Sequence, residues 1–150
     1  MIEVVLDFKE VFIEDDVALD LKEMRIKDKF VLYIRKKIGL PYEGLNGNWD
    51  GFTDDFREIQ YKEFQKYDGW ENDERRYLAF KELNAEYGLT NSDGVRDDLK
   101  LIFINFLPFF IKNQKMVMTF LRIFAKIREE AKEYKQETDV LLDMEICIKS

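Results

Sequence analysis

Acidic side chains gather in one short stretch of the chain, residues 48–59. Asp50 and Asp54 are four residues apart and therefore lie on one face if this stretch is helical. Asp55 and Glu58 lie close to them in the sequence. Carboxylate oxygens bind hard cations, and they also pair with the basic side chains of other proteins. Because these acids would all lie on a single helix and no EF-hand spacing is present, the stretch favours a binding surface over a metal-dependent enzyme.

A helix over this stretch would position the acids by burying its other side. An apolar stripe at helical spacing consists of Trp49, Phe52, Phe56 and Ile59. Asn46 or Asn48 can cap the helix by accepting a hydrogen bond from its first free N–H groups. The helix dipole stabilises an acid in the first turn, which explains Asp50 but not Asp54 or Asp55. A solvated helix face is the alternative interpretation of this acidic side.

The composition predicts one folded domain, residues 1–150, with a packed aromatic interior and a strongly charged surface. Charged residues make up 37% and aromatic residues 15% of the chain, and the net charge is −7. Nucleic-acid-binding proteins obtain much of their affinity from Lys and Arg side chains that neutralise phosphates. We therefore expect no direct contact with nucleic acid. A basic protein is the expected partner, since an acidic surface attracts it over long distances.

The residue types present argue against most classes of enzyme. The chain has no His, the usual general base, and its single cysteine, Cys147, lies in a predicted strand. We expect no catalytic residue, no cofactor and no metal. A single cysteine fits a reducing compartment, the start of the chain lacks a signal-peptide pattern, and the most apolar run, residues 101–111, is too short to span a bilayer. A cytoplasmic location without a membrane partner is therefore expected.

The order of predicted elements is that of an α/β domain. They are a strand at 2–8, helices at 28–38 and 48–59, helical structure within 60–98, a strand at 99–107 closed by Pro108, a helix at 113–135 and a strand at 139–148. The helix within 60–98 begins near Asn72 or Asp73 and ends at Gly88, and its apolar stripe is Tyr77, Phe80, Leu83 and Tyr87. A turn is predicted at 91–94, and residues 11–22 receive no assignment. Strands joined through helices imply a parallel sheet with right-handed crossovers.

Residues 40–56, LPYEGLNGNWDGFTDDF, resemble the signature of barstar-type ribonuclease inhibitors. That signature contains Leu-Pro, a Tyr, a Gly, and then Asn, an apolar residue, Asp, an apolar pair, Asp and an apolar residue. The order of elements is also similar, over about 1–59 and 99–150. The resemblance implies a small three-stranded parallel sheet with helices packed around it and an extended helical insertion at about 60–98. It also implies an intracellular inhibitor that plugs the active site of a basic ribonuclease or nuclease toxin.

The resemblance further implies which residues contact the nuclease. They lie in the loop before the acidic helix, on that helix, and on the helix before the last strand: Tyr42, Gly44, Gly47, Asn48, Asp50, Thr53, Asp54, and Glu129 or Glu130. Asp54 is similar to the acid that enters the phosphate site of the enzyme, and Asp50 to the acid one turn earlier. Tyr42 is similar to the loop aromatic that stacks on the catalytic residue, and one loop glycine precedes Asn48.

The sequence also departs from the barstar pattern. The loop between Pro41 and Asn48 is one residue longer, Thr53 stands where the family often has Trp, and Asp55 replaces an apolar residue or Cys. These departures allow a different target, although a helix that enters an active site would be kept. Two alternatives stay open. One is an interaction module whose partner is a non-nuclease protein or another class of toxin, and the other is a carboxylate-dependent metal enzyme.

Overall fold

Three parallel strands form the sheet at the centre of the fold, as the sequence predicts. The computed structural model describes residues 1–13, 22–40, 49–58, 74–90, 96–134 and 142–149. The strands are β1 (Ile2–Asp7), β2 (Leu99–Ile104) and β3 (Met144–Ile148), in the order β1-β2-β3. Both pairs are parallel, so each connection must cross the sheet through other elements. The chain therefore has an α/β fold.

Helices provide these connections. They are α1 (Glu10–Ile13), α2 (Lys22–Ile38), α3 (Trp49–Glu58), α4 (Glu74–Glu86), α5 (Phe106–Lys112) and α6 (Gln114–Tyr134). The predicted helices correspond to α2, α3, α4 and α6, with α2 beginning earlier than expected. Helix α1 lies in the unassigned region. The predicted caps of α3 and α4 and the turn at 91–94 lie outside the described residues.

The predicted strand at 99–107 is wrong at its end, because β2 stops at Ile104 and helix α5 follows. Asn105 makes the change of direction with a left-handed φ of 53°, which Asn tolerates better than most residues. Its side-chain Nδ2 donates to Asp7 Oδ1 at 2.9 Å, and this bond lowers the pKa of Asp7. Pro108 lies in the first turn of α5, where a missing N–H costs no helical hydrogen bond.

Phenylalanine rings fill the core between the sheet and the helices. The ring of Phe8 lies 5.0 Å from that of Phe103 on β2 and 5.2 Å from that of Phe109 on α5. Phe30 on α2 stacks on Phe109 at 5.6 Å and meets the edge of Phe120 on α6, also at 5.6 Å. All five side chains are buried, so one aromatic cluster joins the sheet to α2, α5 and α6.

Helix α4 packs on the domain through fewer residues than its predicted stripe. Phe80 is buried and Leu83 half-buried, whereas Tyr87 is exposed, and the side chain of Tyr77 lies outside the described part. Gly88 follows the helix with a positive φ of 68°, which confirms the predicted glycine stop. The polar residue Asn84, and not Tyr87, is buried on the inner side of α4.

Candidate partner-binding site

The inner face of α3 fixes the helix to the core. Phe52 and Phe56 are fully buried, and their rings stack at 5.8 Å. Phe52 also lies 6.1 Å from Phe120 and Phe56 lies 5.5 Å from Phe124, both on α6. Trp49 packs edge-on against Phe52 at 6.0 Å. Part of the predicted apolar stripe is therefore confirmed, and it holds the outer face of α3 at a fixed orientation.

The outer face of α3 presents acidic side chains to solvent. Asp50 and Asp54 are exposed, and the relative solvent accessibility of the Asp54 side chain is 72%. Arg57, one turn later, donates from Nη1 to Asp54 Oδ1 at 3.3 Å and from Nε to Glu130 Oε2 at 3.3 Å. Arg57 thus joins the acidic face of α3 to α6, where Glu129 is also exposed. The structure brings Asp54 and Glu130 to the same basic side chain.

Asp55 faces inward. The sequence suggests no stabilising role for this acid, but the structure gives it one. Arg35 Nη1 on α2 donates to Asp55 Oδ2 at 2.6 Å, and the two side chains keep only 8% and 15% of their exposure. The Arg35 guanidinium also lies 5.9 Å above the ring of Phe52. Arg35 follows Val31 by one helical turn and so stands within the apolar stripe of α2. A basic residue among the apolar residues of a helix indicates that an acid is buried beside it, and Arg35 was this signal in the sequence.

Thr53 makes a local hydrogen bond rather than presenting a free hydroxyl. Its Oγ1 donates to the carbonyl oxygen of Trp49 at 2.7 Å, and the residue is half-buried. This bond to the preceding turn is a common way for Thr to satisfy its hydroxyl in a helix. Thr53 therefore adds a small methyl-bearing surface between the two exposed acids.

The predicted loop contacts Tyr42, Gly44, Gly47 and Asn48 lie outside the described residues. The structure does describe where that loop begins, at the end of α2. Asn84 Nδ2 on α4 donates to the carbonyl oxygens of Gly39 and Phe80, each at 2.8 Å. Gly39 has a positive φ of 81°, and a Cβ there would collide with the Asn84 amide. Asn84, which follows α3 in the chain, therefore stabilises Gly39, where the loop begins.

Arg96, which lies shortly before β2 in the chain, also supports the end of α2. It is buried, and its Nη2 donates to the carbonyl oxygen of Ile38 at 3.0 Å. Its guanidinium lies 5.5 Å above the ring of Phe80. Burial lowers the pKa of Arg96 to about 9, which still leaves the side chain protonated at neutral pH. The region predicted as a helical insertion thus supplies two side chains that cap the C-terminus of α2.

Other candidate sites are weaker. Among the described residues, no three or more Asp, Glu or Cys side chains come together in a group that could hold a metal ion. Asp55, one of the proposed ligands, is instead paired with Arg35. Cys147 is half-buried on β3 beside Ile102 of β2. In the described part of the chain, no helix combines the length and the apolar character needed to cross a membrane.

Comparison of the chain with protein-family models, with curated proteins and with solved structures gives no match. A functional assignment therefore rests on the residues of the site. Of the stretch that resembles the barstar signature, the structure describes Leu40 and residues 49–56. In that part the two aspartates of the motif are exposed and its phenylalanines are buried.

Proposed function

We propose that the protein inhibits a basic ribonuclease or nuclease toxin in the cytoplasm, as an immunity protein or antitoxin does. The acidic helix α3 and the loop before it would plug the active site of the enzyme. One observation carries this proposal: exposed Asp50 and Asp54 stand on a helix whose opposite face is anchored in the core by Phe52 and Phe56. The resemblance of residues 40–56 to the barstar signature supports the same interpretation.

The chemistry of the outer face suits a nuclease active site. Such a site binds phosphate through basic side chains and donor groups, and a carboxylate can take the place of the phosphate. Asp54 projects from the second turn of α3 with most of its surface free for a partner. Because α3 is already fixed by buried aromatic rings, little conformational entropy is lost when the acids are bound. The expected outcome is a tight contact made by few residues.

The charge of the whole chain supports the choice of partner. A net charge of −7 attracts a basic enzyme and repels the nucleic acid that the enzyme cuts. Glu130 extends the acidic face from α3 to α6 through their common contact with Arg57. In this proposal the chain binds and blocks, and it performs no catalysis of its own and needs no cofactor.

A basic partner from another class of toxin is the second candidate, and Thr53 favours it. The barstar family often places Trp at this position, whereas Thr53 offers only a small surface between Asp50 and Asp54. Loss of a large aromatic contact changes the shape that the partner must have. The same acidic helix would then bind a different basic cleft.

The decisive test removes one carboxylate of the outer face. Asp54→Ala and the parent are compared for binding to a panel of basic ribonucleases and for rescue of cells that express them. Truncation of one member of a buried charge pair at an interface costs about 2–5 kcal/mol, a range that includes complexes of barstar-type inhibitors. Asp54→Ala should therefore lose most of its protection, and Asp50→Ala a smaller part.

Glu82→Ala is the matched control, because Glu82 is an exposed acid on a different helix, α4. It removes the same charge and should protect like the parent. Full protection by Asp54→Ala would contradict the proposed role of α3. A parent that binds none of the nucleases but binds another basic toxin would favour the second candidate.

A further inference from the structure

One segment of this acidic protein contains basic residues but no acidic ones. Residues 99–128 contain Lys100, Lys112, Lys115, Arg122, Lys126 and Arg128 and no Asp or Glu. All 31 acidic residues of the chain therefore lie outside this segment. Two of these basic residues lie beside acids from other parts of the chain: Lys100 lies between Glu3 and Glu145 in the sheet, and Arg128 pairs with Asp143 at 2.9 Å. The other four lie on α5 and α6.

Large aliphatic side chains are exposed in the same region. Leu107 and Ile111 on α5 keep 53% and 61% of their exposure, and Met118 on α6 keeps 38%. Lys115 and Arg122 on α6 are exposed as well. Leu107 and Ile111 are four residues apart on α5, and Lys115, Met118 and Arg122 are three or four apart on α6, so each set follows one side of its own helix. We call this set, together with the exposed Lys112, the α5–α6 stripe.

The buried side of α5 holds the α5–α6 stripe in place. Phe106 and Phe109 pack against Phe8 at 5.1 Å and 5.2 Å, which turns the opposite side of α5 outward. Asn113 links the two helices, since its N–H donates to Phe109 and its carbonyl accepts from Val117 at 3.1 Å. The aliphatic and basic side chains are thus presented by an anchored pair of helices.

Stability does not account for the α5–α6 stripe. Lys115 lies in the first turn of α6, where the helix dipole favours an acid and disfavours a base. Within the described part of the chain, no carboxylate forms an ion pair with Lys112, Lys115 or Arg122. Exposed aliphatic groups contribute little to the core, and a cluster of them indicates a contact surface.

We propose that the α5–α6 stripe docks on an anionic membrane surface. Aliphatic side chains such as Leu107 and Ile111 can enter the boundary between headgroups and acyl chains, while nearby lysines bind the anionic headgroups. A single-stranded nucleic acid would instead need exposed aromatic rings for stacking, but Phe106, Phe109 and Phe120 of this region are buried, and Phe110 and Phe124 are half-buried. A helical peptide would need an apolar groove, whereas these aliphatic side chains stand out from the surface.

The location of the α5–α6 stripe leaves the acidic site accessible. Arg122, the member of the α5–α6 stripe nearest to Glu130 along α6, is eight residues from it, about 12 Å at the rise of an α-helix. Charges at that separation are screened from each other, because the Debye length is about 8 Å at physiological ionic strength. Docking through α5 needs no membrane-spanning helix, and it revises the expectation that the chain has no membrane partner. It does not depend on the proposed inhibition of a nuclease.

Vesicle flotation tests this proposal on the full chain. The bound fraction is measured with vesicles of phosphatidylcholine alone and with vesicles that also contain phosphatidylserine, each at low and high salt. We expect binding to the anionic vesicles, weaker binding at high salt and little binding to the neutral ones. Lys112→Gln/Lys115→Gln should lower the partition coefficient by about tenfold or more, and Leu107→Ser/Ile111→Ser by a similar factor.

Leu78→Ser/Lys81→Gln is the matched control, because both residues are exposed on α4 and Leu78 keeps 48% of its exposure. The control should bind like the parent. All substituted side chains are exposed, so melting temperatures should be unchanged, and the glutamine variant tests the proposal independently should the serine variant fail to fold.

Four outcomes would overturn the proposal. They are an absence of binding to anionic vesicles, equal binding to neutral ones, equal loss in the control, and a dimer of the parent that Ile111→Ser dissociates. The last would assign the α5–α6 stripe to a contact between two copies of the chain.

Discussion

The two faces of α3 use the same type of side chain for different purposes. Asp55 faces inward and pairs with buried Arg35 at 2.6 Å, whereas Asp54, its neighbour in the chain, faces outward. One step along an α-helix rotates the side chain by about 100°, which is enough to move a carboxylate from the interior to the solvent. The difference shows that an acidic cluster in a sequence can contain both a structural residue and a binding residue. Only the surroundings separate them.

The largest effect should come from the aromatic anchor of the inner face. Phe56 is fully buried against Phe52 and Phe124, so Phe56→Ala should lower the free energy of unfolding by about 3–5 kcal/mol. Urea denaturation followed by circular dichroism measures this change. An unfolding midpoint like that of the parent would show that α3 does not depend on this face for its position.

The next effect should come from the buried ion pair. Asp55→Ala leaves the Arg35 charge buried, and we expect a loss toward the lower end of about 3–5 kcal/mol, since both side chains keep some exposure. The double variant Arg35→Met/Asp55→Leu should recover most of the loss, because it removes both charges together. Denaturation of the single and double variants measures the difference. Equal destabilisation by both would attribute the effect to packing instead of charge.

The smallest effect on folding should come from the outer face. Asp54→Ala removes only an exposed ion pair with Arg57, whose side chain keeps 45% of its exposure. The free energy of unfolding should change by less than about 0.5 kcal/mol. A thermal melt compared with that of the parent checks this expectation. Substantial destabilisation would mean that Asp54 is a second structural acid, and the contrast between the two faces would no longer hold.

The sequence predicted the outline of the fold because its strongest signals are local. The apolar stripe of α3 and the glycine after α4 each reflect one element alone. The junction of β2 and α5 was predicted wrongly, since a continuous apolar run does not distinguish a buried strand from a buried helix. Asn105, at this junction, donates a hydrogen bond to Asp7, which is distant in the chain.

The candidate site, like the fold, could be predicted from the sequence only in part. The spacing of Asp50 and Asp54 opposite Phe52 and Phe56 indicated an exposed acidic face, and the structure has that arrangement. The partner of Asp55 lies on another helix, so its role required the packing of α2 against α3. The bridge of Arg57 to Glu130 likewise depends on how α3 meets α6.

The strand order has a consequence for how the chain folds during synthesis. In the described part of the chain β1 pairs with β2 alone, and Asp7 and its partner Asn105 are 98 residues apart. A ribosome adds about 5–20 residues per second, so β1 emerges roughly 5–20 s before the strand that completes it. During this interval the backbone groups of β1 have no sheet partner and are open to pairing with other chains. Glu3 is exposed within β1, and a charged side chain on an unpaired strand opposes such pairing.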